Sequence, residues 1–194
     1  MKAWQLITHE PSSPTYRRSG KAIPEKKRKN YGFFKGTEEV DEAWSKTAEF
    51  AAALGVEKVV FQTPASFYPS EDHIKNLRQF FKKVKRHHFI FIWESRGKWE
   101  REHVERICTD QGIVPCLDAF AGKPVRGELL YVRLHGRTGY QYRYSDEEMK
   151  ELIRTGETFP SAYLMFNNVN MYEDSRHLKE LLEEKGSMEN LRVA

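Results

Sequence analysis

The sequence predicts an α/β fold made of parallel βα units, and two observations carry this prediction. Short apolar runs, rich in Val, Ile, Leu and aromatic residues, recur along the chain as buried strands do. Longer amphipathic segments lie between most of them, an order typical of parallel strands joined by right-handed crossovers. At 194 residues the chain can bury a sizeable core, so we expect a single domain over residues 1–194.

Six apolar runs are the predicted strands, because each has the length of a strand rather than of a helix. They cover residues 3–9, 58–63, 89–95, 113–119, 129–135 and 162–168. The fifth run, LLYVRLH, is unusual because Arg133 and His135 occupy alternate positions and therefore share one face of the strand. A buried arginine needs a partner, and we predict Glu94 and Asp118, on preceding strands, for that role.

Five segments with apolar residues three and four positions apart predict helices. They centre on residues 40–54, 74–84, 104–108, 149–153 and 178–182. Thr37 and Ser70 are suitable N-caps for the first two helices. Ser145 with Glu148 three residues later forms the pattern of a capping box before the fourth.

Two segments interrupt this alternation. Residues 16–30 hold seven basic residues against one acidic residue, contain Gly20 and Pro24, and have no hydrophobic period, so we predict a mobile loop. This loop is part of a long basic segment, residues 10–36, that follows the first predicted strand. A solvated loop and a polyanion-binding loop both agree with this composition. The second segment, residues 136–144, is a glycine-punctuated loop of aromatic and basic residues.

Composition excludes several classes of protein. The net charge of +4 is modest, so binding of a polyanion would depend on local clusters of charge. Two cysteines are too few for a disulfide framework or a zinc knuckle. The sequence has no secretory leader pattern and no apolar run of membrane-spanning length, so we expect a cytoplasmic protein without a membrane partner. Walker, Rossmann, HExxH and GxSxG motifs are absent from the sequence.

Polar or ionisable side chains end every predicted strand. In chain order they are His9, Gln62, Glu94 with Arg96, Asp118, Arg133 with His135, and Asn167 with Asn168. Because the loops after parallel strands share one face, where active sites form in βα folds, we predict a polar functional mouth there. For any one of these residues the alternative is a solvated strand end or a turn residue, since Asn caps helices well.

The sequence resembles the YecE-like family, which is catalogued as a domain of unknown function. The resemblance rests on YVRLHGR, followed by YRYSDEEMKEL and AYLMFNN, and upstream on WQLITH, the strand ending in Gln and Pro at 58–64, and FIFIWESRGKW. It extends from about residue 3 to about residue 182. The resemblance implies a TIM-barrel-like fold and matches Gln62, Glu94, Asp118, Arg133, His135 and Asn167 to the family's polar positions at the barrel mouth. It implies no established reaction.

The sequence departs from the family at its beginning. Family members usually carry two further βα units before the Thr-His strand, whereas this sequence starts almost directly in that strand. We therefore predict an incomplete barrel of about six strands, against eight in a complete one. An open sheet exposes its edges, and a homodimer that closes the short barrel is one expectation.

Three hypotheses for function follow. The first is an enzyme that acts on a phosphate-containing substrate, with Glu94 and Asp118 as general base or metal ligands, His135 as acid, base or ligand, and Arg133 as a clamp for negative charge. Metal-assisted phosphodiester hydrolysis with a divalent metal belongs to this hypothesis. The predicted substrate-binding residues are His9, Gln62, Arg96, Arg137, Tyr142, Asn167 and Asn168.

The second hypothesis is a non-catalytic nucleic-acid-binding module. The basic residues of the 16–30 loop would combine phosphate neutralisation with base stacking, together with Arg137, Tyr140, Tyr142, Arg143 and Tyr144. The third is a structural remnant of the family that works as an oligomer. The sequence does not choose among substrate, metal and mode of closure.

Overall fold

The computed structural model describes residues 1–18, 23–120, 127–186 and 191–193. The strands in these residues are β1 Lys58–Gln62, β2 Ile90–Glu94, β3 Val114–Leu117, β4 Leu129–Leu134, β5 Ser161–Phe166 and β6 Leu191–Val193. They pair in parallel and in chain order, from β1 to β6. The α-helices are α1 Gln5–Thr8, α2 Glu38–Ala53, α3 Glu71–Lys83, α4 Arg101–Gln111, α5 Asp146–Gly156 and α6 Met171–Lys185. The predicted α/β class is confirmed.

The chain divides into two compact units, Met1–Pro115 and Cys116–Ala194. Strands β1 and β2 lie in the first unit and β4 to β6 in the second, while β3 begins in the first and ends in the second. None of the helices in the described residues is long and apolar enough to cross a membrane.

The first predicted strand, residues 3–9, is wrong. Only Lys2 bridges to Val60 of β1, and the chain then turns into α1. The reason is packing with a distant segment: Leu6 and Ile7 are both buried in the same hydrophobic cluster as Phe34. The Leu6 carbonyl accepts a hydrogen bond from Gly32 N at 2.9 Å, and the Ile7 carbonyl accepts one from Phe34 N at 2.9 Å.

The other five predicted strands are confirmed with small shifts of their ends, and β6 was not predicted. The predicted helices are also confirmed. Ser70 caps α3 by accepting a hydrogen bond from His73 N, and Ser145 and Glu148 form the predicted capping box of α5. Thr37 occupies the N-cap position of α2, but its hydroxyl donates to the Asn30 carbonyl at 2.6 Å instead of capping the helix.

The predicted loop at 16–30 contains regular structure. Short 3₁₀ helices cover Pro14–Arg18 and Glu25–Asn30, and residues 19–22 lie outside the described part of the chain. The second of these helices is tied to α2 by an ion pair between Lys27 and Glu39 at 3.2 Å. Part of its basic charge therefore already has an acidic partner within the first unit.

Each unit has its own hydrophobic core. In the first unit Phe34 packs between the rings of Phe80 and Phe81, with centroids 5.2 and 5.4 Å away, and Trp44 packs edge-on to Phe91 at 5.1 Å. In the second unit the core is largely aliphatic and is formed by the strands and the two helices α5 and α6. Its fully buried members include Val132, Leu164, Met149, Leu152 and Leu178.

Candidate functional site

Two of the predicted residues meet at the carboxyl ends of β1 and β2. Gln62 and Glu94 are register partners in the parallel pair, and the Gln62 amide Nε2 donates to Glu94 Oε1 at 2.8 Å. Lys2 Nζ donates to Gln62 Oε1 at 2.8 Å. Because a lysine only donates and a carboxylate only accepts, these two bonds fix the orientation of the Gln62 amide.

The Glu94 carboxylate is 5% exposed at the end of its strand, and it is paired. Arg96 Nε lies 3.4 Å from Glu94 Oε1, which also accepts the hydrogen bond from Gln62 Nε2 at 2.8 Å. A buried carboxylate is costly without such partners. The structure therefore brings together the predicted residues Gln62, Glu94 and Arg96 within the first unit.

His9 lies next to Gln62 in the lining of a cleft of about 540 Å³. Lys2, Lys46 and Gln5 also line this cleft. Burial and the nearby Lys2 cation lower the pKa of His9 to about 4, so its imidazole is neutral at pH 7. His9 Nδ1 lies 2.8 Å from the Thr8 hydroxyl, which holds the ring in place.

Arg133, Asn167 and His135 form a hydrogen-bonded chain in the second unit. Arg133 Nη2 donates to Asn167 Oδ1 at 2.7 Å, and Asn167 Nδ2 lies 2.9 Å from His135 Nδ1. Arg133 is in β4, His135 follows β4, and Asn167 follows the neighbouring strand β5. Because the arginine only donates, Asn167 must present its oxygen to Arg133 and its NH₂ group to His135.

This arrangement determines the tautomer of His135. An NH₂ group cannot accept, so Nδ1 accepts the hydrogen bond from Asn167 and the ring proton lies on Nε2. The neutral His135 ring is thus a hydrogen-bond donor at Nε2. All three side chains are partly exposed, as a site that meets a ligand requires.

Arg137 and Tyr142 are brought together by Glu148. The Glu148 carboxylate accepts from Arg137 Nη1 at 3.0 Å, from the Tyr142 hydroxyl at 2.7 Å and from Ser145 N at 2.9 Å. Burial raises the pKa of Glu148, but the hydrogen bonds from Ser145, Tyr142 and Arg137 outweigh it and hold the pKa below its ordinary value. The two predicted binding residues therefore support the 136–144 loop.

Asn168 is buried beside this loop. Its Nδ2 donates to the Tyr142 carbonyl at 2.8 Å and to Asp174 Oδ2 at 2.5 Å. Its Oδ1 is buried without a hydrogen-bond partner among the residues that the structure describes. Asn168 therefore fastens α6 to the loop.

Asp118 follows β3, and its exposed side chain accepts a hydrogen bond from Phe120 N at 2.9 Å. The register pairs Leu117 with Val132, so Asp118 and Arg133 are the next residues of two adjacent strands. Within the described ranges, no three His, Cys, Asp or Glu side chains cluster closely enough to hold a metal ion. The divalent metal considered from the sequence does not fit the described residues.

Sequence reasoning missed Lys2 and the wider role of Glu148. Lys2 carries no local signal, because its partner Gln62 lies sixty positions away in the chain. Glu148 was predicted only as part of a capping box, and its other two donors come from the preceding loop.

Comparisons with known proteins give the following. A family model described as "Protein of unknown function DUF72" matches residues 1–192. A solved structure of a DUF72 family protein from Thermotoga maritima is 19% identical, with a TM-score of 0.62, and the match covers 94% of this chain and 72% of that one. No curated protein matches this chain. At this identity the solved structure shows the fold alone, and it confirms the prediction of an incomplete TIM-barrel-like α/β fold.

Proposed function

The chain belongs to the DUF72 family, whose function is unknown, and we propose that it is an enzyme that acts on a phosphate-containing substrate at the carboxyl ends of β3, β4 and β5. The observation that carries this proposal is the hydrogen-bonded chain from Arg133 through Asn167 to His135, with distances of 2.7 and 2.9 Å. It orients one cation and one neutral donor at the edge of a parallel sheet where active sites of βα folds form.

Arg133 is suited to bind the phosphoryl group. A guanidinium is planar and always charged, and its fork of N–H groups matches the oxygens of a phosphate. The bond to Asn167 Oδ1 holds this fork in one orientation, so less side-chain entropy is lost when a ligand binds.

His135 supplies a second donor. With Nδ1 accepting from Asn167, its Nε2–H can donate to a phosphoryl oxygen and stabilise the charge that develops there during reaction. In this role the imidazole donates a hydrogen bond without losing its proton. The same tautomer makes His135 unsuitable as a general base at Nε2.

Asp118 is the general base of the proposal. Its exposed carboxylate follows β3, beside the position of Arg133 in β4. In hydrolysis, a water oxygen would bond to phosphorus while Asp118 takes a proton from that water, and the leaving oxygen would depart with the bonding electron pair and take a proton from solvent. Glu94, which accepts from Gln62 and pairs with Arg96 in the first unit, is assigned no step. No step passes through a metal.

The test begins with binding of inorganic phosphate and a panel of phosphate esters by calorimetry at low salt. We expect Arg133→Met to weaken phosphate binding about tenfold or more, the effect of losing one charge-assisted hydrogen bond. Arg176→Met is the matched control, because Arg176 is an exposed arginine on α6 of the same unit. Equal effects of the two variants, or no binding of any phosphate ester, would overturn the proposed site.

Release of phosphate from the esters that bind is then measured. Asp118→Asn should abolish turnover and leave binding of the ester within about twofold, since the base acts on water rather than on the phosphoryl group. Full activity of Asp118→Asn would remove Asp118 from the mechanism.

A further inference from the structure

The exposed apolar side chains of the second unit are concentrated in two short segments. Among the described residues of the second unit, the large apolar residues that are exposed to solvent are the following, with the exposed fraction of each: Tyr140 53%, Val169 69%, Met171 53% and Tyr172 71%. Scattered apolar residues on a surface need no explanation, but a concentration of them marks a binding surface.

Hydrogen bonds hold the two segments side by side. Val169 N donates to the Tyr140 carbonyl at 2.7 Å, and Asn170 Nδ2 donates to the Gln141 carbonyl at 3.3 Å. Asn168, one residue before Val169, is bonded to the same loop through the Tyr142 carbonyl. We call Tyr140, Val169, Met171 and Tyr172 the apolar platform.

The apolar platform adjoins the proposed phosphate site. The Tyr140 ring packs edge-on against the His135 ring, with centroids 5.8 Å apart and an interplanar angle of 89°. Asn167, which joins His135 to Arg133, directly precedes the segment that carries Val169. A ligand bound by Arg133 and His135 would therefore have an aromatic face beside it.

The other two tyrosines of the loop are less exposed than Tyr140. The Tyr142 hydroxyl donates to Glu148, and Tyr144 is buried, with its hydroxyl accepting from Gly136 N at 2.8 Å. Tyr140 is thus the tyrosine of the 136–144 loop that presents its ring to solvent.

From these observations we infer that the substrate is a nucleotide, whose phosphate binds Arg133 and His135 and whose base stacks on Tyr140. This inference rests on the proposed function and adds the class of substrate. Base stacking on an aromatic side chain tightens binding about tenfold, and a cation next to an exposed ring suits a nucleotide, which carries both a phosphate and a base. A sugar phosphate would use the cation but has no base to stack on the exposed Tyr140 ring.

The experiment compares three probes by calorimetry at one salt concentration: adenosine 5′-monophosphate, ribose 5-phosphate and adenosine. We expect the nucleotide to bind about tenfold tighter than ribose 5-phosphate, because only the nucleotide stacks. Tyr140→Ala should remove this difference, weakening binding of the nucleotide about tenfold more than binding of ribose 5-phosphate. Tyr68→Ala is the matched control, since Tyr68 is an exposed tyrosine of the first unit.

Equal affinity for the nucleotide and ribose 5-phosphate would overturn the inference, as would a Tyr140→Ala variant that weakens both probes equally. Tyr140→Trp keeps an aromatic face and should retain the preference for the nucleotide, which separates stacking from a loss of fold.

If ribose 5-phosphate binds in an Arg133-dependent manner without a preference for the nucleotide, the inference fails while the proposed function stands. If neither the two phosphate probes nor an oligonucleotide binds, the proposed function fails. An oligonucleotide that binds while the mononucleotide does not would replace the small-molecule substrate with a nucleic-acid strand.

Discussion

Replacing Glu148 with glutamine should destabilise the second unit strongly, although the two side chains are nearly equal in size. The carboxylate of Glu148 is 11% exposed and accepts three hydrogen bonds, two at Oε1 from Arg137 and Tyr142 and one at Oε2 from Ser145 N. A carboxamide has a single acceptor oxygen. When that oxygen serves Arg137 and Tyr142, the NH₂ group faces the Ser145 N–H, and the N-terminal bond of α5 is lost.

The expected cost follows from these contacts. Hydrogen bonds to a charged group contribute about 1.5–3 kcal/mol each and neutral ones about 0.5–1.5 kcal/mol, so losing one bond and neutralising the others at Glu148 costs about 2–3 kcal/mol. In a chain of this size that corresponds to a melting temperature lower by roughly 5–10 °C.

Urea unfolding followed by far-UV circular dichroism measures this cost, with Glu147→Gln as the control. Glu147 is an exposed neighbour in the same first turn of α5, so both variants lose the same favourable charge at the helix N-terminus. Because the folded pKa of Glu148 is lowered, its contribution is present above the ordinary value of 4.5 and is lost as the pH falls through the folded pKa.

The difference in unfolding free energy between wild type and Glu148→Gln should therefore shrink as the pH is lowered from 7 toward 3. If Glu148→Gln costs no more than Glu147→Gln at pH 7, the carboxylate does not support the loop as described. A difference that stays constant down to pH 3 would contradict the ionised state on which the reasoning depends.

Two further predictions concern stability. Asn168→Ala should lower the free energy of unfolding by about 2–4 kcal/mol, because the buried Asp174 carboxylate loses its donor. Asn170→Ala should lower it by less than about 1 kcal/mol, because the hydrogen bonds of Asn170, at 3.3 and 3.5 Å, are long. Urea unfolding measures both values, and similar losses for the two variants would contradict this. His9 should titrate near pH 4 in an NMR titration. Stability should fall as the pH is lowered from about 6.5 to 4, because the unfolded chain takes up the proton at a higher pH than the folded protein does. A His9 ring that titrates near pH 6.5, or a His9→Gln variant whose stability has the same pH dependence as that of the wild type, would refute this prediction.

The elements that local rules govern were predictable from the sequence. Ser145 and Glu148 are three residues apart, so the capping box can be predicted from the sequence. The N-cap at Ser70 can be predicted in the same way, because it bonds to His73, which is also three residues away. The parallel order of strands also follows from the alternation of apolar runs with helices. That order alone places Gln62 beside Glu94, and Arg133 beside the strand of Asn167, at neighbouring strand ends.

What depends on distant packing was not predictable. The apolar run around Leu6 and Ile7 is too short to distinguish helix from strand, and Gly32 and Phe34, which bond to those residues, lie more than twenty positions away. Strand β6, Leu191–Val193, is too short to stand out. Three tyrosines in one loop look alike in sequence, and only their surroundings separate exposed Tyr140 from buried Tyr144.

The division into two units has a spectroscopic consequence. The chain has four tryptophans, Trp4, Trp44, Trp93 and Trp99, and all of them belong to the unit Met1–Pro115. Trp93 is fully buried and Trp44 nearly so, among rings of the aromatic core. Tryptophan emission is therefore an intrinsic label of the first unit, while the second unit absorbs through tyrosine alone. Selective excitation of tryptophan can follow the unfolding of one unit without a dye or an engineered reporter.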